Sequence, residues 1–146
     1  MPFRFRLQPL ITIRDNVLKQ KQAELAKAYE ARRIVMEKRE KVERDLAATK
    51  ESAREMIHSG KPVSVDYLLG LRREEMFLLI DRNKCDEDLR MIDEYIERCR
   101  EAVIEANKEL KIVEKLKEKR KEKYDTEQAR LETVQMDEIA GRPKHN

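Results

Sequence analysis

Apolar residues recur at alternating three- and four-residue intervals along almost the whole chain, with one break at Gly60-Lys61-Pro62. A period of seven carrying two apolar positions is the seam of a left-handed coiled coil, because it holds one narrow stripe of each helix against a partner. The first stretch sets Leu7, Ile11, Leu18, Leu25, Ala28, Val35, Val42, Leu46, Ala53 and Met56 in one frame. The same frame admits Arg14, Lys21, Arg32, Arg39 and Thr49, so this seam is interrupted. The second stretch is cleaner, with Leu68, Leu71, Leu78, Cys85, Leu89, Ile92, Ile96, Cys99, Val103, Ala106, Leu110 and Val113. Two helices and nothing else satisfy this pattern.

The break defines the topology. Glycine followed closely by proline ends one helix and delays the next, Ser64 suits an N-cap, and Asp66 suits the positive end of the helix dipole. Pro2 and Pro9 fall in or before the first turn of helix one, where proline is tolerated. The expectation is a single all-α domain over residues 1–146: helix one about 9–58, turn about 59–64, helix two about 65–140, and a tail over 141–146 after Gly141 and Pro143. A short loop makes the long helices antiparallel neighbours, a two-helix coiled-coil hairpin. With the turn centred on Gly60 to Pro62, facing residue numbers should add to about 123. That register sets Leu46 near Phe77 and Leu78, Leu25 near Arg98 and Cys99, and Leu18 near Ile104 and Glu105. It also sets Arg39 near Arg82 and Lys84, a charged layer that either fixes register at a cost in stability or leaves a loose point of bending.

Composition excludes the competitors. Of 146 residues, 33 are Lys or Arg and 30 are Asp or Glu, while aromatics make up only 5% with no Trp. High charge with few aromatics also describes unfolded chains, but the sustained apolar period separates this chain from them. The net charge of +3 is small beside the gross charge, so the surface is mixed and does not resemble the basic field of a nucleic-acid binder. No run approaches the roughly eighteen apolar residues of a membrane span, and Met-Pro-Phe-Arg-Phe-Arg lacks the apolar stretch of an export signal, so the expected compartment is the cytoplasm.

Catalytic and metal chemistry find no foothold. There is no glycine-rich phosphate loop and no nucleophile elbow. The acid clusters Glu74-Glu75 and Asp86-Glu87-Asp88 fall on exposed helix faces, where no cleft can shift a carboxyl pKa. Cys85 and Cys99 stand about 21 Å apart along one helix, too far for a disulfide, and with isolated His58 and His145 they form no zinc set. Both cysteines read as small apolar residues of the seam. The expectation is no enzyme activity, no cofactor and no metal.

Binding features are concentrated at the chain ends. By the expected register, the residue facing Met1 lies near position 122, so about eighteen residues of helix two, roughly 25 Å, have no partner within the hairpin. They nevertheless keep an apolar line of Tyr124, Leu131, Val134 and Ile139, which implies a partner protein or a dimer. Residues 108–123 hold eight basic side chains against four glutamates. The first reading is a solvated face laced with pairs at four-residue spacing, the second a guide toward an acidic partner, and the third a nucleic-acid surface, though no aromatic residues interleave the run as stacking platforms. The start alternates aromatic and basic residues, Phe3-Arg4-Phe5-Arg6-Leu7. Near the turn, Tyr67, Met76 and Phe77 add a second candidate contact region.

The opening Phe3-Arg-Phe-Arg-Leu-Gln-Pro-Leu10 followed by Arg14 resembles the flagellar export proteins of the FliJ family. So does the ending, Glu114-Lys-Leu-Lys-Glu-Lys-Arg-Lys-Glu-Lys-Tyr124 with Met136-Asp-Glu-Ile-Ala140. The resemblance implies a stiff two-helix coiled coil like the central stalk of rotary ATPases. Its implied partners are the hexameric export ATPase at the cytoplasmic base of the flagellum, the membrane-embedded export gate, and export chaperones. It further implies a cytoplasmic protein held peripherally at the inner face of the cell membrane, with no nucleic acid bound and no insertion into the bilayer. ATPase contacts would be made by Phe3, Arg4, Arg6, Leu7, Lys117, Arg120, Tyr124 and Leu131, and the gate contact by Tyr67 and Leu71. The stalk proteins of injectisome type III secretion are similar, and a generic coiled-coil scaffold or homodimer shares the same periodicity.

Overall fold

Two helices account for the fold of the computed structural model: α1, Gln8–His58, and α2, Val65–Gly141. Residues 2–142 are described; Met1 and residues 143–146, with the expected helix-closing Pro143 and the isolated His145, lie outside the described residues. Among the described residues there is no strand, and the architecture is the all-α helical hairpin that the heptads predict.

Local chemistry sets the helix ends. Gln8 and Leu10 donate backbone hydrogen bonds to the carbonyls of Phe5 and Leu7, at 3.1 and 2.9 Å, and Pro9 in that first turn has no amide hydrogen to leave unpaired. At the other end of α1, Ser59 Oγ donates to the Met56 carbonyl at 2.9 Å, and Gly60 takes φ 70°, the left-handed conformation that lets the chain leave a helix without a Cβ clash. Ser64 caps α2: its Oγ accepts from the Tyr67 amide at 3.3 Å and its carbonyl from the Leu68 amide at 3.1 Å.

The chain divides into two compact units, one joining residues up to Lys21 with those from Ala102 onward, the other comprising residues 22–101. In the second unit the seam buries Ala28, Val42 and Leu46 of α1 with Cys85, Ile96 and Cys99 of α2. Both cysteines are free thiols. Thr49, a polar residue in the seam frame, is buried too, and its hydroxyl donates to the Asp45 carbonyl 2.9 Å away, so the burial leaves no orphan donor. In the first unit the buried set is Phe5, Ala106, Leu110 and Val113.

Cross-helix ion pairs fix the antiparallel register and correct the sequence-based one. Residue numbers add to 125 at Arg32–Asp93, Arg39–Asp86 and Glu43–Arg82 in the second unit, and to 123 at Arg14–Glu109 in the first. The two-residue shift in the second unit sets position 79 opposite Leu46; of the two residues expected there, Leu78 is half-buried and Phe77 is 67% exposed. Ile104, expected beside Leu18, is exposed as well. The charged layer around Arg39 is not a cluster of like charges. Arg39 pairs with Asp86 across the seam and with Glu43 one turn along α1, and Glu43 in turn meets Arg82 at 3.4 Å. Two cations and two carboxylates alternate, so the layer is neutral.

Candidate protein-binding surface

Helix one does not run back to the start of the chain. Residues 2–7 leave the helix and lie against α2, which places the alternating aromatic and basic residues on two different surfaces. Phe5 turns inward and is 8% exposed, with the Arg120 guanidinium 5.6 Å from the centre of its ring. Phe3, half-buried, meets the Tyr124 ring at a centroid distance of 5.6 Å and a tilt of 48°. A tilted pair at that separation sets the positive edge of one ring toward the negative face of the other. Lys117 Nζ donates to Gln8 Oε1 at 2.8 Å, closing the junction between the segment and α1. Arg4 and Arg6 remain exposed.

Phe3, Arg4, Phe5, Gln8, Lys117 and Lys121 together line a shallow open groove. Three of its six lining residues are cationic and none is acidic, so it presents donors and positive charge over an aromatic floor. Of the expected contact residues, the fold thus brings Phe3, Arg4, Lys117, Arg120 and Tyr124 together. Phe5 and Lys121 belong to the same cluster; the sequence placed them in the alternating start and the basic run without assigning either a contact of its own. Phe5 shows only as one half of an alternating pattern, and alternation alone does not tell which of two phenylalanines turns inward.

Beyond this cluster the covering ends. Tyr124 is half-buried under Phe3, which removes it from the bare stripe expected over residues 124–139. From Ala129 to Arg142 every residue is exposed. Leu131, Val134, Met136 and Ile139 stand at 43%, 41%, 69% and 64% exposure, a helix end holding uncovered apolar side chains. Such surface is unfavourable in water, because its apolar atoms stay hydrated. Leu7, at 36% exposure, lies just before α1.

Tyr67 and Leu71 belong to the other unit. Tyr67 is 50% exposed in the first turn of α2, while Leu71, one turn on, is half-buried in the seam. Among the described residues no group of three side chains is arranged to hold a metal ion. Among the described residues no helix is long and apolar enough to cross a membrane.

No protein-family model and no curated protein matches the chain. Among solved structures it is similar to a protein from Chlamydia trachomatis, CT670, described as a YscO homologue, with 22% identity and a TM-score of 0.45 over 95% of this chain and 93% of that one. At that level the likeness carries no assignment of function.

Proposed function

We propose that this chain is a non-enzymatic component of flagellar type III protein export, acting as a stalk that binds the hexameric export ATPase and raises its turnover. The observation that carries the reading is the bare apolar helix end, residues 131–139, following directly on the knot of Phe3, Phe5, Arg120 and Tyr124. A helix end of this kind can enter a ring and bury its leucine and isoleucine against the subunits it meets. The cationic groove at Arg4, Lys117 and Lys121 supplies the charge to orient that entry against carboxylates. The FliJ-like residues at both chain ends support the same reading. In this proposal the inserted end favours closed ring subunits, the differential binding by which any effector shifts a conformational equilibrium.

Tyr67, with Leu71 beside it, would contact the export gate, and export chaperones would be further partners. The chain would then work in the cytoplasm, peripherally at the membrane, without cofactor or nucleic acid. The test is titration into purified hexameric flagellar export ATPase. Co-elution and a several-fold rise in turnover are expected; unchanged turnover with no co-elution removes the reading.

A further inference from the structure

In the unit spanning residues 22–101, α2 carries a second heptad stripe that the hairpin does not use. The inner stripe, Leu68, Leu71, Glu75, Leu78, Arg82 and Cys85, is buried or half-buried against α1. A parallel stripe on the outer face, Asp66, Gly70, Arg73, Phe77, Ile80 and Lys84, has the same alternating four-three spacing, and every member is exposed. Phe77 and Ile80 are 67% and 57% exposed, and Met76 beside them is 62% exposed. Nothing lies within 4 Å of the position a Cβ would take at Gly70, so a neighbouring helix meets no side chain there. Asp66, Arg73 and Lys84 have no ion-pair partner among the described residues.

We propose that this stripe is a self-complementary interface on which a second copy of the chain docks antiparallel, through a two-fold axis that passes between Arg73 and Phe77 on the outer face. The order of residues along the stripe carries the inference. Laid antiparallel on itself, it sets Asp66 against Lys84 of the second copy, Gly70 against Ile80, and Arg73 against Phe77, each pairing occurring twice. The outer pairs are opposite charges, the next fits the bulkiest aliphatic residue onto the missing side chain, and the inner pair sets a guanidinium on an aromatic face. A parallel arrangement instead stacks Asp66, Arg73 and Lys84 each on its own copy, three layers of like charge. The sequence therefore selects one orientation as well as one partner. The stripe extends only about 27 Å, so the contact is small and the dimer weak, forming at tens of micromolar and above.

The inference is independent of any ATPase, and the full chain alone tests it. Sedimentation equilibrium should show a monomer–dimer exchange up to about 100 µM. Phe77→Glu should abolish it, with an unchanged circular dichroism spectrum because the side chain is already in solvent. Lys84→Asp should weaken association about tenfold by setting two carboxylates together, and adding Asp66→Lys should restore it. Gly70→Cys with Ile80→Cys should cross-link two copies under oxidation, because the two positions lie about 15 Å apart within one helix and cannot close on themselves. A chain that stays monomeric throughout, a dimer indifferent to Phe77→Glu, or a charge swap that fails to rescue would each overturn the proposal.

Discussion

Arg39 lies between two carboxylates, pairing with Asp86 across the seam and with Glu43 at 3.6 Å along its own helix. It occupies a seam position of the first heptad frame, as Arg14 does, yet the two are not equivalent. Every charge around Arg39 has an opposite neighbour, and Glu43 keeps Arg82 as well. Arg14 pairs with Glu109, but its Nε is shielded from solvent and finds no acceptor among the described residues. An enclosed donor without a partner costs free energy that a leucine there would not.

Arg14→Leu should therefore stabilise the chain by about 1 kcal/mol, combining apolar burial with removal of the orphan donor. Arg39→Leu should lie within about 0.5 kcal/mol of the parent, because half-exposed ion pairs contribute little and Asp86 can return to water. Denaturant midpoints of the two variants, compared at equal slopes, measure the difference. The reverse order would show that the alternating Arg39 layer, rather than the Arg14 site, limits stability.

The N-terminal segment gives a second expectation. Phe5 is the one residue of 2–7 that is buried, so it holds the segment down. Phe5→Ala should cost that closure about 1–2 kcal/mol, roughly a tenfold larger open fraction, while both helices persist. Trypsin cutting at Arg4 and Arg6 should quicken by a similar factor with no change in helical signal. Equal cutting rates in parent and variant would mean that Phe3 and Tyr124 alone retain the segment.

The hairpin was legible because its causes are local: Gly60 and Pro62 end a helix by backbone sterics, Ser64 caps by a side-chain oxygen, and the heptad needs only one chain's spacing. What was not legible depends on distances between segments. The cross-helix pairs sit up to two residues from the expected sum, because the centre of the turn from Ser59 to Ser64 cannot be read to the residue from the sequence. That offset set Arg39 beside Arg82 and Lys84 rather than beside Asp86. The inward turn of Phe5 depends on Arg120 and α2, more than a hundred positions away, and no periodicity reports it. Leu131 and Ile139 were recoverable since they continue the second helix's apolar line past the end of its companion.

Acid should loosen the helices from the outside. Hydrogen bonding to Arg33, Arg90 and Arg130 holds the Glu30, Glu87 and Glu127 carboxyls below their ordinary values. A carboxyl depressed in the folded state adds stability that is fully present above its unfolded value and is lost as pH falls through the folded one. Thermal midpoints should thus stay level from neutral pH to about 5 and decline toward about 3, with a shallower decline at high salt where these exposed pairs are screened. A midpoint that rises on acidification would assign the helices a different balance of charges.

The bare end of α2 gives the sharpest expectation. Leu131 and Ile139 are 43% and 64% exposed, so replacing both with glutamine, a good helix former, should leave stability within about 0.5 kcal/mol. If a ring buries them, each substitution removes about 1–2 kcal/mol of binding, and the pair should weaken ATPase association by roughly 100-fold. Ile112 supplies the control: it lies on the same helix, is 68% exposed, and falls outside the overhang. Ile112→Gln should leave association unchanged. Calorimetric titration of the three variants against the export ATPase separates the cases, since an equal loss at Ile112 would indicate general stickiness of exposed apolar residues. Retained affinity in the Leu131 and Ile139 double variant would move the contact to the cationic groove at Arg4, Lys117 and Lys121.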